Sequence, residues 1–222
     1  MLLLALFVAG CGDDDDDGDS ADTGADTAAQ QADTEATPEG GCPEVEQPPA
    51  KEDGGQEKPT EELDASKTYD VTVKTSCGDF AIRLNLVTAP ETSASFVALA
   101  RSGFYDDTYF HRIVPGFVIQ GGDPTGTGAG GPGYKTVDKP PRNARYTKGV
   151  VAMAKAGDEP AGTSGSQFFV VTGADAGLPP DYAILGEITK GLDVVQKIGA
   201  LGDAAEQPLQ VITIEGMEVE ES

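Results

Sequence analysis

The sequence predicts a mainly β domain whose antiparallel strands close on themselves under two helices, preceded by a tether that does not fold. Three observations carry this expectation. Strand-like segments are numerous and short, and the connections between them are rich in glycine and proline. Only two stretches read as helices, too few for alternating βαβ units. The aromatic and large apolar residues that a core requires lie almost entirely from Lys67 onward.

Composition sets the boundary. Between Asp13 and Asp64 there are 19 acidic residues against Lys51 and Lys58, with Val45 and Leu63 the only large apolar side chains and no aromatic. Such a segment has nothing to bury and repels itself, so residues 12–66 are expected to be a disordered acidic linker. From Lys67 to Ser222 the balance is 19 acidic to 13 basic, and there is enough chain for one core. The formal charge of −23 therefore belongs mostly to the linker. With no basic stripe to offset it, nucleic acid is excluded as a partner.

The first ten residues, MLLLALFVAG, are apolar, shorter than the ~20 needed to span a bilayer, and are followed directly by Cys11. They read as the apolar part of an export signal over residues 1–11. The ending Val8-Ala9-Gly10-Cys11 resembles a bacterial lipoprotein cleavage site, although no Lys or Arg precedes the apolar run. That resemblance implies lipid on Cys11 and a membrane-anchored protein facing the periplasm or the cell exterior. Cys42 and Cys77 are then left either as free thiols or as a disulfide clipping the linker to the domain.

Order is expected from Thr68. Tyr69, Val71 and Val73 alternate with polar neighbours, as do Phe80, Ile82, Leu84 and Leu86, with Gly78-Asp79 as the turn of a hairpin. A helix follows: Thr88 and Glu91 have capping-box spacing, Pro90 sits where a missing donor is harmless, Phe96, Leu99 and Ala100 form a stripe, and Gly103 suits the exit. Further strands are predicted at 109–114, 117–120, 150–154, 167–171, 183–188 and 210–214. A short second helix fits 192–198, with Leu192, Val195 and Ile198 about one turn apart.

Several chemistries fail on inspection. Gly126, Gly128 and Gly131 match GxGxxG literally, but Pro132-Gly133 follow where a helix should open. No Lys-Thr or Lys-Ser pair has glycine directly before it, so there is no phosphate loop. His111 is the only histidine, which removes two-histidine metal sites and weakens any serine nucleophile. No cofactor or metal is implied. Alternation turns His111 away from Arg112, so a structural hydrogen bond is expected for it.

One stretch is distinctive: Phe110-His111-Arg112-Ile113-Val114-Pro115-Gly116-Phe117-Val118-Ile119-Gln120-Gly121-Gly122-Asp123, followed downstream by Gly165-Ser166-Gln167-Phe168-Phe169. Together they resemble the cyclophilin signature, and the resemblance spans roughly Thr68 to Met217. It implies an eight-stranded closed antiparallel barrel capped by two helices over residues 67–222, acting as a peptidyl-prolyl cis/trans isomerase. Matched by position, Arg112 is the catalytic arginine, with Gln120 beside it. Phe117, Val118, Phe169, Leu178 and Tyr182 line the proline pocket, Gln167 is a polar pocket residue, and Ala154 and Lys155 meet the substrate backbone. Gly177 departs from the family, many members having tryptophan there, and Pro179-Pro180 replace polar residues.

The residue chemistry agrees. Rotation about an Xaa-Pro bond breaks no covalent bond; it is slow because the nitrogen lone pair is conjugated, with a barrier near 20 kcal/mol. An arginine beside the prolyl nitrogen favours the twisted state, and apolar side chains receive the ring. Strand alternation groups Val118 with Gln120 and Gln167 with Phe169 while sending Phe168 to the core; Phe117 needs the Pro115-Gly116 turn to aim it. The glycine-rich 121–133 stretch reads as a rim loop. The expected partners are proline-containing polypeptides, the chain acting as a monomer, with a noncatalytic proline-peptide binding module as the alternative.

Overall fold

In the computed structural model, which describes residues 41–222, a hairpin stands where the alternation placed it. Strand β1 spans Tyr69–Thr75 and β2 Phe80–Leu84. Val71 lies opposite Ile82 and Val73 opposite Phe80, and all four are buried. Asp70 faces Arg83 across the same ladder and accepts from its Nε at 3.0 Å and its Nη2 at 2.7 Å. That pair is solvent-exposed, so it supports register more than stability.

Helix α1 runs Pro90–Arg101 and buries Phe96, Leu99 and Ala100 together with Ser93 and Val97. Its capping differs from expectation. Ala89 is the N-cap and no side chain caps locally; instead Asp138 Oδ2 accepts from the Thr92 amide at 2.7 Å. Glu91 pairs with Lys58 rather than closing a capping box. A carboxylate brought from another segment satisfies the orphan donor, so the local signal was not needed. Gly103, at φ +71°, ends the helix.

The remaining elements are β3 (Thr108–Tyr109), β4 (Arg112–Val114), β5 (Val118–Gly121), β6 (Thr136–Val137), β7 (Val150–Met153), β8 (Thr163–Ser164), β9 (Phe168–Val171), β10 (Ile184–Lys190), α2 (Leu192–Gly199) and β11 (Thr213–Glu221). Val195 and Ile198 of α2 are buried, but Leu192 remains 37 % exposed at its start.

All pairings in the main sheet are antiparallel, in the order β3-β11-β1-β2-β10-β7-β9-β5-β4, and β6 and β8 form a separate two-stranded sheet. The closed eight-stranded barrel is therefore corrected to an open nine-stranded sheet with two helices. The reason lies in 108–114: this stretch breaks at Phe110-His111, giving β3 to β11 and β4 to β5. The ladder ends at β3 on one side and at β4 on the other, and no strand pair joins them.

The larger core packs Phe96 and Phe110 edge-on to Phe168, with centroids 5.6 and 6.2 Å apart, and Tyr105 against Phe96. A second, smaller cluster holds Val118, Tyr146, Ala152, Phe169 and Val171. The two clusters occupy opposite faces of β5, β7 and β9, because successive side chains in a strand alternate.

Residues 41–66 contain no helix or strand. They are nevertheless fastened to the domain: Cys42 forms a disulfide with Cys77, and the Lys51 ammonium donates to the carbonyls of Gly103, Phe104 and Asp106 at 3.1, 2.8 and 2.9 Å. Of the expected disordered linker, 12–40 lie outside the described residues, as do the export signal and Cys11. Among the described residues no helix is long and apolar enough to cross a membrane.

Candidate active site

The site is built from a single rung of the sheet. Arg112 on β4 faces Gln120 on β5, Gln120 faces Phe169 on β9, and Phe169 faces Ala152 on β7. Directly opposed residues share a face, so register alone brings a guanidinium, an amide and an aromatic ring together. The neighbouring outward positions, Val114, Val118 and Val171, extend the apolar floor.

Arg112 is held twice. Its Nε donates to Glu206 Oε2 at 2.7 Å and its Nη1 donates to Gln120 Oε1 at 3.3 Å. Its Cζ lies 6.0 Å from the centroid of the Phe117 ring. Gln120 Nε2 donates onward to Gln167 Oε1 at 3.1 Å, and Gln167 Nε2 donates to the Gly130 carbonyl at 3.0 Å. This fixes the amides' orientation: each oxygen accepts and each nitrogen donates along one line.

Beside the arginine is a recess of about 330 Å³ lined by Arg112, Phe117, Val118, Gln120, Ala154, Lys155, Phe169, Leu178 and Tyr182. Phe117 stands outside β5, in a turn closed by its amide donating to the Val114 carbonyl at 3.0 Å. Tyr182 packs edge-on to Phe169, with centroids 5.6 Å apart. Its backbone is pinned by Tyr146, whose hydroxyl donates to the Tyr182 carbonyl at 2.7 Å and accepts from its amide at 3.0 Å. Gln167 lines the adjoining cavity of about 510 Å³, which shares Gln120, Ala154 and Lys155 with the recess.

Ala154 and Lys155 lie just beyond the end of β7. The Ala154 amide donates to the Gln167 carbonyl at 2.9 Å, so that N–H is already committed within the protein. The Lys155 ammonium folds back onto the carbonyls of Ala156 and Glu159 and stands 5.6 Å from the Tyr182 ring centroid.

The rim loop is organised by Asp123. Its carboxylate accepts from the Thr125 amide and hydroxyl and from the amides of Gly128 and Gly130. Burial works against the charge, yet these donors together hold the carboxyl below its usual range. A side chain at Gly130 would collide with that carboxylate. The GxGxxG glycines thus serve a loop folded around an acidic residue, the opposite of a phosphate cradle.

His111 departs from the expected structural hydrogen bond: both ring nitrogens are buried without a partner among the described residues. Burial pushes its pKa down; Asp123 opposes this and Arg112 adds to it. Sequence reasoning also missed Glu206, which lies 94 residues from Arg112 in a turn and carries no motif. Tyr146 was missed too; its buried ring and two-way hydroxyl become visible only in three dimensions.

The model for cyclophilin type peptidyl-prolyl cis-trans isomerases matches residues 70–219. A peptidyl-prolyl cis-trans isomerase of Arabidopsis thaliana is 37 % identical over 150 residues, 65 % of this chain and 90 % of that protein. One of Helicobacter pylori is 40 % identical over 140 residues, 62 % of this chain and 84 % of that protein. Among solved structures, a Cryptosporidium parvum cyclophilin-type isomerase superposes with a TM-score of 0.64 at 31 % identity, covering 69 % of this chain and 98 % of that one. The signature residues, the strand register that gathers them and the matched span agree, and the chain belongs to the cyclophilin-type peptidyl-prolyl cis-trans isomerases.

Proposed function

We propose that this groove catalyses cis/trans isomerisation of Xaa-Pro bonds in extended polypeptides outside the cytoplasm, assisting their folding. One observation carries the reading: a guanidinium anchored by both Gln120 and Glu206 beside a recess that Phe117, Val118, Phe169 and Leu178 also line. The recess formed by Phe117, Val118, Phe169 and Leu178 receives the prolyl ring. Two of the five guanidinium donors are committed to the anchors, which leaves donors for the substrate.

As the amide twists, the prolyl nitrogen becomes pyramidal and its lone pair leaves conjugation with the carbonyl. An N–H aimed at that nitrogen is accepted better in the twisted state than in either planar one, which lowers the barrier rather than only tightening binding. A thousandfold acceleration asks about 4 kcal/mol of the whole site, and one preorganised arginine supplies much of that. A noncatalytic proline-binding groove would need the recess but not a twice-anchored charge, so catalysis is the better reading.

For location, support comes from the apolar N-terminus with Cys11 and from the Cys42–Cys77 disulfide, since such bonds persist in oxidising compartments. We assign Cys11 as lipidated, with the acidic segment after it as a spacer from the membrane. The activity is tested with a protease-coupled assay on an Xaa-Pro peptide; an unchanged cis-to-trans rate with the wild-type protein refutes isomerisation. Fractionation with mass analysis of the N-terminal peptide tests the anchor, and an unmodified Cys11 in a soluble fraction refutes it.

A further inference from the structure

The acidic segment before the domain does not only lead up to it. Residues 51–56 run along the outer edge of the rim loop and bond to it repeatedly: the Lys51 amide donates to the Pro124 carbonyl at 2.8 Å, the Gly54 amide to Gly131 at 2.9 Å, and the Gln56 amide to Pro132 at 3.0 Å. In return, the Gly131 amide donates to Asp53 Oδ1 at 2.8 Å. The two backbones approach closely at glycine. A Cβ on Gly133 would stand 3.1 Å from Gly54 Cα and 3.2 Å from the Gly55 nitrogen, and all three glycines have positive φ. The strap is fixed on either side, by the Lys51 ammonium on three carbonyls beyond α1 and by Lys58 pairing with Glu91 at 3.0 Å.

From Gly131 the contacts continue inward. The preceding carbonyl, Gly130, accepts from Gln167, Gln167 accepts from Gln120, and Gln120 accepts from Arg112. Every link is a donor–acceptor pair in one direction, so displacing the loop at Gly131 leaves Gln167 without its acceptor and frees Gln120 to rotate away from the guanidinium. Asp53 also lines the cavity that adjoins the recess.

We infer that Asp53, on the strap 51–56, is a positioning residue for the isomerase: by holding the Gly131 amide it fixes the outer side of the loop that Asp123 organises from within and, through Gln167 and Gln120, biases the orientation of Arg112. This rests on the isomerase reading of the site. Because Gln120 is only one of two anchors, the arginine is loosened rather than released, and the loss falls on kcat more than on KM.

The test uses the full chain with Asp53→Ala and Asp53→Asn, the latter keeping an oxygen acceptor at the same place. Amide exchange at Gly131, the melting temperature and the kinetic constants on an Xaa-Pro peptide are measured together. In Asp53→Ala, Gly131 exchange is expected to rise about tenfold, the scale of one lost charge-assisted hydrogen bond. Its kcat should fall about fivefold, with KM within about twofold of wild type and Asp53→Asn recovering most of the loss. Faster Gly131 exchange with unchanged kcat overturns the inference, as does an Asn variant no better than Ala. If the wild-type chain itself fails to accelerate the peptide, the isomerase reading falls instead, and Gly131 exchange still reports whether Asp53 holds the loop.

Discussion

Two consecutive rungs of the same four strands show how this protein separates stability from chemistry. Inward, Ile113, Ile119, Val170 and Val151 oppose one another across β4, β5, β9 and β7, and all are fully buried. One residue along, Arg112, Gln120, Phe169 and Ala152 oppose one another outward, with the arginine and glutamine partly exposed. The backbone ladder is common to both. A single step of alternation decides whether a side chain meets Phe168 in the core or Phe169 in the groove. The lesson is that the core fixes the register, and the register places the site without a dedicated scaffold.

The largest expected effect breaks the comparison on its outward side. Arg112→Ala should lower kcat/KM by about two to three orders of magnitude, the usual cost of removing a preorganised transition-state donor. Peptide binding should largely persist, because the apolar lining from Phe117, Val118, Phe169 and Leu178 is untouched, and the melting temperature should barely move, since the pair with Glu206 is solvent-exposed. Steady-state kinetics with peptide titration checks this; retained activity would return the groove to a binding role.

On the inward side the pattern reverses. Ile119→Ala removes a fully buried side chain and is expected to cost about 2–5 kcal/mol of stability. Below its lowered melting temperature the variant should keep kcat within about threefold, because the outward rung is carried by the other strands as well. Urea unfolding and kinetics on the same sample compare the two rungs directly. If Ile119→Ala lost activity as deeply as Arg112→Ala while still folded, the separation of roles would be wrong.

Much of this was legible in the sequence because β1 carries a clean period of two and other strands read as short apolar runs. Tyr69, Val71 and Val73 announce β1, and Phe168 beside Phe169 announces a strand with two apolar faces. Strand β11 shows where that signal stops. It was expected at 210–214 but runs Thr213–Glu221, and a register shift skips Glu215, so Ile214 and Met217 face inward three residues apart. A bulge breaks alternation, and the glutamates on the outer side read as loop. The barrel closure was overdrawn because nothing in Tyr109 to Val114 marks the break at Phe110-His111. At the site, the motif supplied Arg112, Gln120 and the recess, whereas Glu206 and Asp53 lie in distant turns and connections that no local pattern distinguishes.

Glu206 sharpens the comparison further, since it tests whether the arginine needs its second anchor. Its residue sits at φ +66°, and its carbonyl accepts from the Ile113 amide at 3.1 Å, so the turn itself is tied to β4. Glu206→Gln keeps an acceptor for Arg112 Nε and should reduce kcat less than about twofold, while Glu206→Ala should reduce it about three- to tenfold. Equal kinetics for the two variants would mean that Gln120 alone orients the guanidinium.

The smallest effect belongs to His111, which precedes both rungs just before β4. Its ring nitrogens are buried without partners, burial lowers its pKa, and the charges around it are Asp123 and Arg112. A histidine whose folded pKa lies below its unfolded value of about 6.5 favours the neutral ring in the fold. Its contribution is present above about pH 6.5 and is lost as the pH falls toward the folded pKa. Asp123 is also lowered, but its contribution is lost only below the ordinary aspartate range of about 3.9, so it has no part in a decline that begins near pH 6.5. The wild-type melting temperature should therefore decline between about pH 7 and pH 5, and His111→Leu should flatten that decline while removing two unpaired polar atoms from the interior. Parallel pH slopes for the two proteins would show that some other group titrates there, since leucine carries no proton to exchange.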